Sequence, residues 1–106
     1  MNDSSSGILP ELRSRFQSLY GPGLERLVLF GSRARGDADP DSDFDVLVVL
    51  ADEDTIRDNK EPANDIVCSL SLEYDTVVSC AFTTGEKFER SGMPFYRNVR
   101  REGVPI

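Results

Sequence analysis

The amino-acid sequence predicts an α/β (α+β) domain, in which a small mixed β-sheet is flanked by helices. Apolar residues recur at helical spacing in two long segments, one near the beginning of the chain and one after its midpoint. Three short runs of apolar and β-branched residues have the composition of buried strands. Helices and strands that alternate in this way are typical of a sheet covered by helices, in the approximate order α-β-α-β-α-β-α.

The first half of the chain contains the clearest pattern. Ile8, Leu12 and Phe16 share one face of a helix, and Gly21-Pro22-Gly23 ends it. A continuous apolar run then leads into Gly31, as in a strand buried on both faces. The predicted elements are a helix over 8–20, a strand over 27–30, a turn with a short helix over 31–36, a loop over 37–42 and a strand over 44–50.

The second half begins with a charged segment that indicates a loop. Thr83 and Glu86 have the spacing of a capping box, which predicts a short helix through Phe88. Gly103 ends the last helical segment. The predicted elements are a loop over 51–62, a helix over 63–74, a strand over 76–82, the short helix and a final helix over 94–101.

Length and composition predict a compact protein. The 106 residues suit a single domain, 1–106, and the Ser-rich residues 1–6 predict a disordered tail. No apolar run approaches the roughly 20 residues that span a bilayer, so we expect a cytoplasmic protein without membrane contact. Cys68 and Cys80 lack a CxxC spacing and any histidine partner, which predicts two buried, reduced thiols and no zinc site.

The net charge of the chain indicates which classes of partner it can bind. The formal net charge is -7, whereas proteins that bind DNA or RNA by neutralising phosphates need an excess of Lys and Arg. Nucleic acid is therefore disfavoured as a partner. The acidic residues are also concentrated, because every odd position from Asp37 to Asp45 is Asp.

Two of these carboxylates are candidates for binding a metal ion. Asp43 and Asp45 are two residues apart at the start of a predicted strand, so their side chains lie on the same face. Carboxylate oxygens beside substrate phosphates are the ligands that Mg²⁺ prefers. Gly31-Ser32, between a strand and a short helix, is a candidate phosphate cradle, because glycine permits close approach and helix N–H groups attract anions.

The spacing of these motifs resembles that of a known family. Gly31-Ser32, ten further residues and then Asp43-x-Asp45 running into an apolar strand resemble the signature of the polymerase-β-like nucleotidyltransferase superfamily. Residues 31–36 and 41–45 are similar to the minimal nucleotidyltransferase branch, whose members are about this short. The ending over 100–106 resembles the same branch, so that the likeness spans about residues 24–106.

The resemblance implies a fold, a reaction and a partner. The reaction would be the transfer of a nucleoside monophosphate, AMP from ATP, to a hydroxyl group with Mg²⁺ or Mn²⁺. Gly31, Ser32 and Arg33 would contact the triphosphate, and Asp43 and Asp45 would bind the metal. The partner would be a toxin of the HEPN family, for which this chain would be the antitoxin.

Several alternatives stay open. Asp75 is the candidate for a third metal-binding and catalytic carboxylate, or it is only a turn residue between a helix and a strand. Arg33 and Arg35 either contact phosphate or pair with the Asp-rich segment. A domain without turnover that neutralises a partner by contact is the second hypothesis. An enzyme that modifies aminoglycosides is the third and least favoured hypothesis. The chain is too short to contain the second domain that would bind such a substrate.

Overall fold

The computed structural model describes residues 7–36 and 42–106, and it confirms a mixed sheet flanked by helices. The predicted tail over 1–6 and most of the predicted loop, residues 37–41, lie outside the described residues. The helices are α1 (Ile8–Tyr20), α2 (Ser32–Arg35), α3 (Glu53–Asp58), α4 (Lys60–Glu73), α5 (Gly85–Arg90) and α6 (Pro94–Glu102). The strands are β1 (Leu24–Phe30), β2 (Phe44–Leu50), β3 (Val78–Thr84) and β4 (Val104–Pro105). Within the described residues, no helix has the length and apolar character needed to cross a membrane.

The four strands lie in the order β3-β2-β1-β4. β1 is antiparallel to both β2 and β4, while β2 and β3 are parallel. A parallel pair needs a crossover connection, and α3 and α4 supply it between β2 and β3. β2 is therefore an interior strand, with β1 on one side and β3 on the other.

The two faces of the sheet carry separate apolar clusters. Side chains alternate along β2, so Val46 and Val48 point to one face while Leu47 and Val49 point to the other. The first face packs against α1 and α4, and the second packs against α5 and α6. The main buried residues of the first cluster are Ile8, Leu12, Phe16, Leu27, Leu29, Val46, Val48, Leu50 and Leu70. Those of the second are Val28, Leu47, Val49, Phe88 and Val99.

The predicted loop over 51–62 is wrong, because this segment forms α3 and the first turn of α4. Asp52 caps α3, since its Oδ1 accepts hydrogen bonds from Thr55 N and Thr55 Oγ1, both at 2.8 Å. Both hydrogen bonds lower the pKa of Asp52, and the bond from the Thr55 backbone has the larger effect. The helix has no buried residue, so it lacks the apolar periodicity from which a helix is predicted.

The third strand and its neighbours also differ from the prediction. β3 begins and ends two residues later than predicted, because it pairs with β2 as far as Leu50 opposite Thr84. Thr84 rather than Thr83 caps α5, accepting a hydrogen bond from Lys87 N at 3.3 Å. β4 was not predicted, and its two residues are too few to show a pattern.

The predicted burial of both cysteines is only partly confirmed. Cys68 is exposed on α4, where the helix turns that side away from the core. Cys80 is half-buried on β3, and burial raises the pKa of its thiol to about 12. The Cys80 thiol is therefore neutral at physiological pH.

The packing of Gly103 under β1 gives a test of the fold. A Cβ at Gly103 would clash with Val28 Cγ1 and would lie 2.5 Å from the Val99 carbonyl oxygen, whereas one at Gly92 would meet nothing within 4 Å. We expect Gly103→Ala to lower the free energy of unfolding by about 1–3 kcal/mol through overpacking. Gly92→Ala, the matched control, should change it by less than about 0.5 kcal/mol. Urea unfolding of both variants checks this, and equal stabilities would contradict the described packing.

Candidate active site

Asp43 and Asp45 lie on the sheet face that α5 and α6 cover. Asp45 is on β2 directly opposite Phe30 of β1, and it shares its face with Leu47 of the second cluster. Asp43 is the residue immediately before β2. The hydrogen bonding between β2 and the chain that leads into β3 extends to this point, since Phe44 N donates to the Val77 carbonyl at 2.9 Å. Asp43 is exposed and Asp45 is half-buried, so the pair opens to solvent.

The negative charge of Asp43 acts on the carboxylate of Asp45. The pKa of Asp45 is raised, by burial first and then by the negative charge of Asp43. A divalent cation between two such carboxylates would offset both effects, because it removes the repulsion and replaces the lost hydration. Two hard oxygen donors open to solvent suit Mg²⁺, which keeps waters and phosphate oxygens as further ligands. The donor set therefore fits the metal that the sequence predicts.

Gly31 lies against the Asp45 carboxylate. Its backbone has φ 77° and ψ −159°, in a region that is almost restricted to glycine. A Cβ at this position would lie 2.5 Å from Asp45 Oδ2. Only glycine lets β1 turn into α2 while the carboxylate occupies this place.

Ser32 follows Gly31 as the half-buried first residue of α2. The Gly31 carbonyl accepts hydrogen bonds from Ala34 N at 3.1 Å and from Arg35 N at 3.2 Å, which fixes the turn. The first N–H groups of any helix have no acceptor within the helix. Gly31 lies against Asp45 and Ser32 is the next residue along the chain, and their role as a phosphate cradle stays a prediction.

Arg33 holds the segment that leads into β2. Its Nε donates to the Ser42 carbonyl at 3.0 Å, and its guanidinium lies 3.9 Å from the centroid of the Phe44 ring. Phe44 points to the face opposite Asp45, so this contact positions the carboxylate pair from the other side of the strand. The neighbouring Arg35 forms an ion pair with Glu102, with Nη1 and Oε1 3.6 Å apart.

Asp75 lies in the turn between α4 and β3. Its backbone has φ 51°, a left-handed conformation that Asp tolerates better than most residues. Within residues 7–36 and 42–106, no group of three or more His, Cys, Asp or Glu side chains is placed to hold a metal ion. The structure therefore brings Asp43 and Asp45 together without Asp75.

Ser79, which no local sequence pattern marks as a site residue, lies opposite Asp45 on β3. Parallel pairing aligns Asp45 with Ser79, and Val77 precedes the strand opposite Asp43. Both residues are exposed, and Val77 retains 53% of its accessible surface. These are the positions from which β3 could add a group to the site. The strand register that reveals them is a long-range property, so no local sequence signal marks them.

The chain is similar to proteins of the nucleotidyltransferase domain family, whose match covers residues 9–104. MJ0604 of Methanocaldococcus jannaschii, named as a candidate protein adenylyltransferase, is 32% identical over 104 residues, which cover 97% of this chain and 96% of the relative. MJ0141 of the same organism bears the same description and is 36% identical over 72 residues, which cover 68% of this chain and 72% of the relative.

Solved structures share the fold. A candidate minimal nucleotidyltransferase superposes with a TM-score of 0.52 at 29% identity, covering 92% of this chain and 95% of the other. A toxin-antitoxin solved with AMP-PNP superposes with a TM-score of 0.57 at 20% identity, covering 99% of this chain and 72% of the other. At that identity the second likeness shows the fold alone.

The approach of Asp45 to Gly31 can be tested with two glycines of positive φ. Gly36 has φ 80° and open space around a built Cβ, so Gly36→Ala should cost only the left-handed backbone penalty of about 1–2 kcal/mol. We expect Gly31→Ala to cost more, because the new methyl group also displaces Asp45. Urea unfolding measures both losses. A loss at Gly31 no larger than that at Gly36 would argue against the close approach.

The raised pKa of Asp45 predicts a pH dependence of stability. The folded protein binds the Asp45 proton more tightly than the unfolded chain does, so this group lowers stability as pH rises above about 4. Without divalent cations, Asp45→Asn should therefore melt higher than the wild type at about pH 7, and the difference should shrink towards pH 4. Asp65→Asn, which removes an exposed carboxylate on α4, is the control. A difference independent of pH would refute the prediction.

Proposed function

We propose, since this chain belongs to the nucleotidyltransferase family, that it transfers an adenylyl group from ATP to a hydroxyl group of a partner protein. The observation that carries the proposal is the pair of carboxylates, Asp43 and Asp45, beside Gly31 on one face of the sheet. Family membership, as the motif spacing predicted, makes the chain a nucleotidyltransferase. The names of its relatives support the adenylyl group as the one transferred.

The proposed reaction is a displacement at phosphorus. The acceptor hydroxyl oxygen attacks the α-phosphorus of ATP and forms a new phosphorus–oxygen bond. The bond between the α-phosphorus and the oxygen that bridges to the β-phosphorus breaks, and pyrophosphate leaves with its electron pair. The hydroxyl proton passes to solvent. Nothing is oxidised or reduced.

Residues of this chain bind and orient the nucleotide in the proposal. Gly31 and Ser32 hold the triphosphate, and Asp43 and Asp45 hold Mg²⁺ or Mn²⁺. A bound divalent cation supplies charge neutralisation at the phosphate oxygens. Arg33 keeps the Asp43 segment in place through Ser42 and Phe44.

A protein acceptor is supported by charge and by the relatives. The net charge of -7 would repel nucleic-acid phosphates but would attract a basic protein surface to the acidic site. The sequence relatives are named as protein adenylyltransferases, and a solved toxin-antitoxin shares the fold. Together with the motif resemblance, this supports a hydroxyl-bearing helical toxin of the HEPN family as the acceptor.

A second function, neutralisation of the partner by contact alone, is favoured by one observation. The residues opposite the carboxylate pair are Val77, which precedes β3, and Ser79 of β3, and neither is acidic. A third carboxylate would deprotonate the acceptor, and this strand does not supply one. Slow transfer or binding without transfer would follow from that arrangement.

The proposal predicts a covalent product that depends on Asp43. Co-expression with a helical toxin of the HEPN family should yield a toxin that carries AMP, detected by intact-mass spectrometry. Asp43→Asn should lower transfer in vitro by about 100-fold or more, because a carboxylate that holds the metal is worth several kcal/mol. EDTA should have the same effect on the wild-type protein.

Asp65→Asn is the matched control, since it removes an exposed carboxylate far along the chain from the site. It should leave transfer unchanged. A partner that stays unmodified yet bound and neutralised would establish the contact mechanism in place of transfer. Equal transfer by Asp43→Asn and the wild type would refute the metal assignment.

A further inference from the structure

We propose that a second copy of this chain binds along the outer edge of β3, so that two sheets join through an antiparallel β3–β3 pair about a two-fold axis. β3 is the last strand in the order β3-β2-β1-β4, and among the described residues no strand pairs with its outer side. Such an edge presents backbone hydrogen-bonding groups to another strand. The pairing uses neither the carboxylate pair nor the Gly31 turn, so it stands or fails independently of the proposed function.

The pairing of β3 with β2 determines which backbone groups of β3 face outward. Phe44 N donates to the Val77 carbonyl at 2.9 Å, and Phe44 is aligned with Val78. Successive residues of a strand direct their backbone groups to opposite sides, so every second residue counted from Val77 bonds to β2. The N–H and C=O groups of the residues between them, Cys80 and Phe82, therefore point away from the sheet.

A side chain of α4 already occupies the first outward N–H group. Val78 N donates to Ser71 Oγ at 3.2 Å, which agrees with an outward direction for the groups of Val78. An antiparallel pair centred on Cys80 aligns Cys80 with its own copy and Phe82 with Val78 of the second copy. The two Cys80 residues then exchange a pair of hydrogen bonds, and each Phe82 N–H donates to the Val78 carbonyl of the other copy. This arrangement leaves Val78 N with Ser71.

β3 lacks the features that usually protect an edge strand. Its seven residues, VSCAFTT, include no charged residue and no proline, and its register with β2 runs without a bulge to Leu50 opposite Thr84. Natural proteins block free edges with charges, proline or bulges, because an unblocked edge pairs with another chain. The other edge of the sheet, β4, has only two residues, one of which is Pro105. β3 is therefore the edge that is suited to pairing.

A cavity beside this edge gives room for side chains of the second copy. It has a volume of about 900 Å³ and lies where α3 and α4 meet β3, and its lining includes Val78, Cys80 and Phe82. These three side chains share one face of the sheet. The pair centred on Cys80 places the same three side chains of the second copy on that face, next to the cavity. Each copy would thus bury apolar surface of the other, which stabilises the pair.

The charges around the cavity are compatible with a contact between identical copies. Arg57, Lys60 and Glu61 line the cavity and are exposed. A two-fold contact presents one surface to itself, so a rim of a single sign would repel its copy, whereas this rim offers both signs. β3 itself is uncharged, and the net charge of -7 on each chain acts at longer range, where salt screens it.

Sedimentation velocity and amide hydrogen exchange, each over a range of protein concentrations, test the proposal. We expect the mass to approach twice the 11.8 kDa of one chain as the concentration rises from about 10 µM to about 1 mM. The amides of Cys80 and Phe82 should exchange about tenfold more slowly at the higher concentration, because they are bonded to another strand only in the dimer. The amide of Ala81, which bonds to β2 in either state, should change far less.

Two substitutions at Cys80 should prevent the pairing. Cys80→Pro removes the outward N–H but leaves the bonds to β2, since an edge strand tolerates proline where the N–H faces solvent. Cys80→Lys places like charges at the two-fold axis and serves if the proline variant does not fold. Cys80→Ala keeps the N–H and is the matched control, so it should still form the dimer. Thermal melting verifies that each variant is folded.

A wild-type protein that stays monomeric at the highest concentration would overturn the proposal. A dimer that persists in the folded Cys80→Pro and Cys80→Lys variants would overturn it by placing the contact elsewhere. Exchange of the Cys80 and Phe82 amides that does not depend on concentration would have the same meaning. Protection of these amides only after another protein is added would replace the second copy with an extended segment of that protein.

Discussion

The contact between the Asp45 carboxylate and the backbone of Gly31 is the constraint on which the site depends. It joins the end of β1, the start of α2 and the middle of β2 at one point, because Asp45 lies opposite Phe30 and Gly31 is the next residue. A side chain at Gly31 would move either the turn or the carboxylate. The proposed phosphate cradle and the proposed metal-binding pair therefore cannot be placed independently of each other.

The opposite face of β2 supplies the stability that the carboxylates lack. Val46 and Val48 are fully buried there, while Asp45 meets the charge of Asp43 on the other face. On the same face, the Arg33 guanidinium makes a cation–π contact with the Phe44 ring and donates a hydrogen bond to the Ser42 carbonyl. An unfavourable pair of charges persists in the folded protein because the apolar side of the same strand holds it in position.

Local patterns account for what the sequence could predict. The period of two placed Asp43 and Asp45 on one face, and the apolar run ending in Gly31 located the turn. Helix α3 escaped prediction because an exposed helix capped by Asp52 has no apolar stripe. The position of Ser79 depends on the register of β3 against β2, which crossover helices and side-chain packing determine together. Long-range pairing of that kind has no signature within either strand.

The exposure of Ser79 affects which substitutions the fold can tolerate during evolution. A residue that faces solvent beside Asp45 can be exchanged for an acidic one without disturbing the core, since neither apolar cluster includes it. A substitution at this position would therefore change the activity of the site without changing the stability of the fold. A related chain could gain or lose a third carboxylate by a single replacement while keeping the proposed nucleotide cradle, so proteins that only bind and proteins that catalyse transfer would differ by few substitutions.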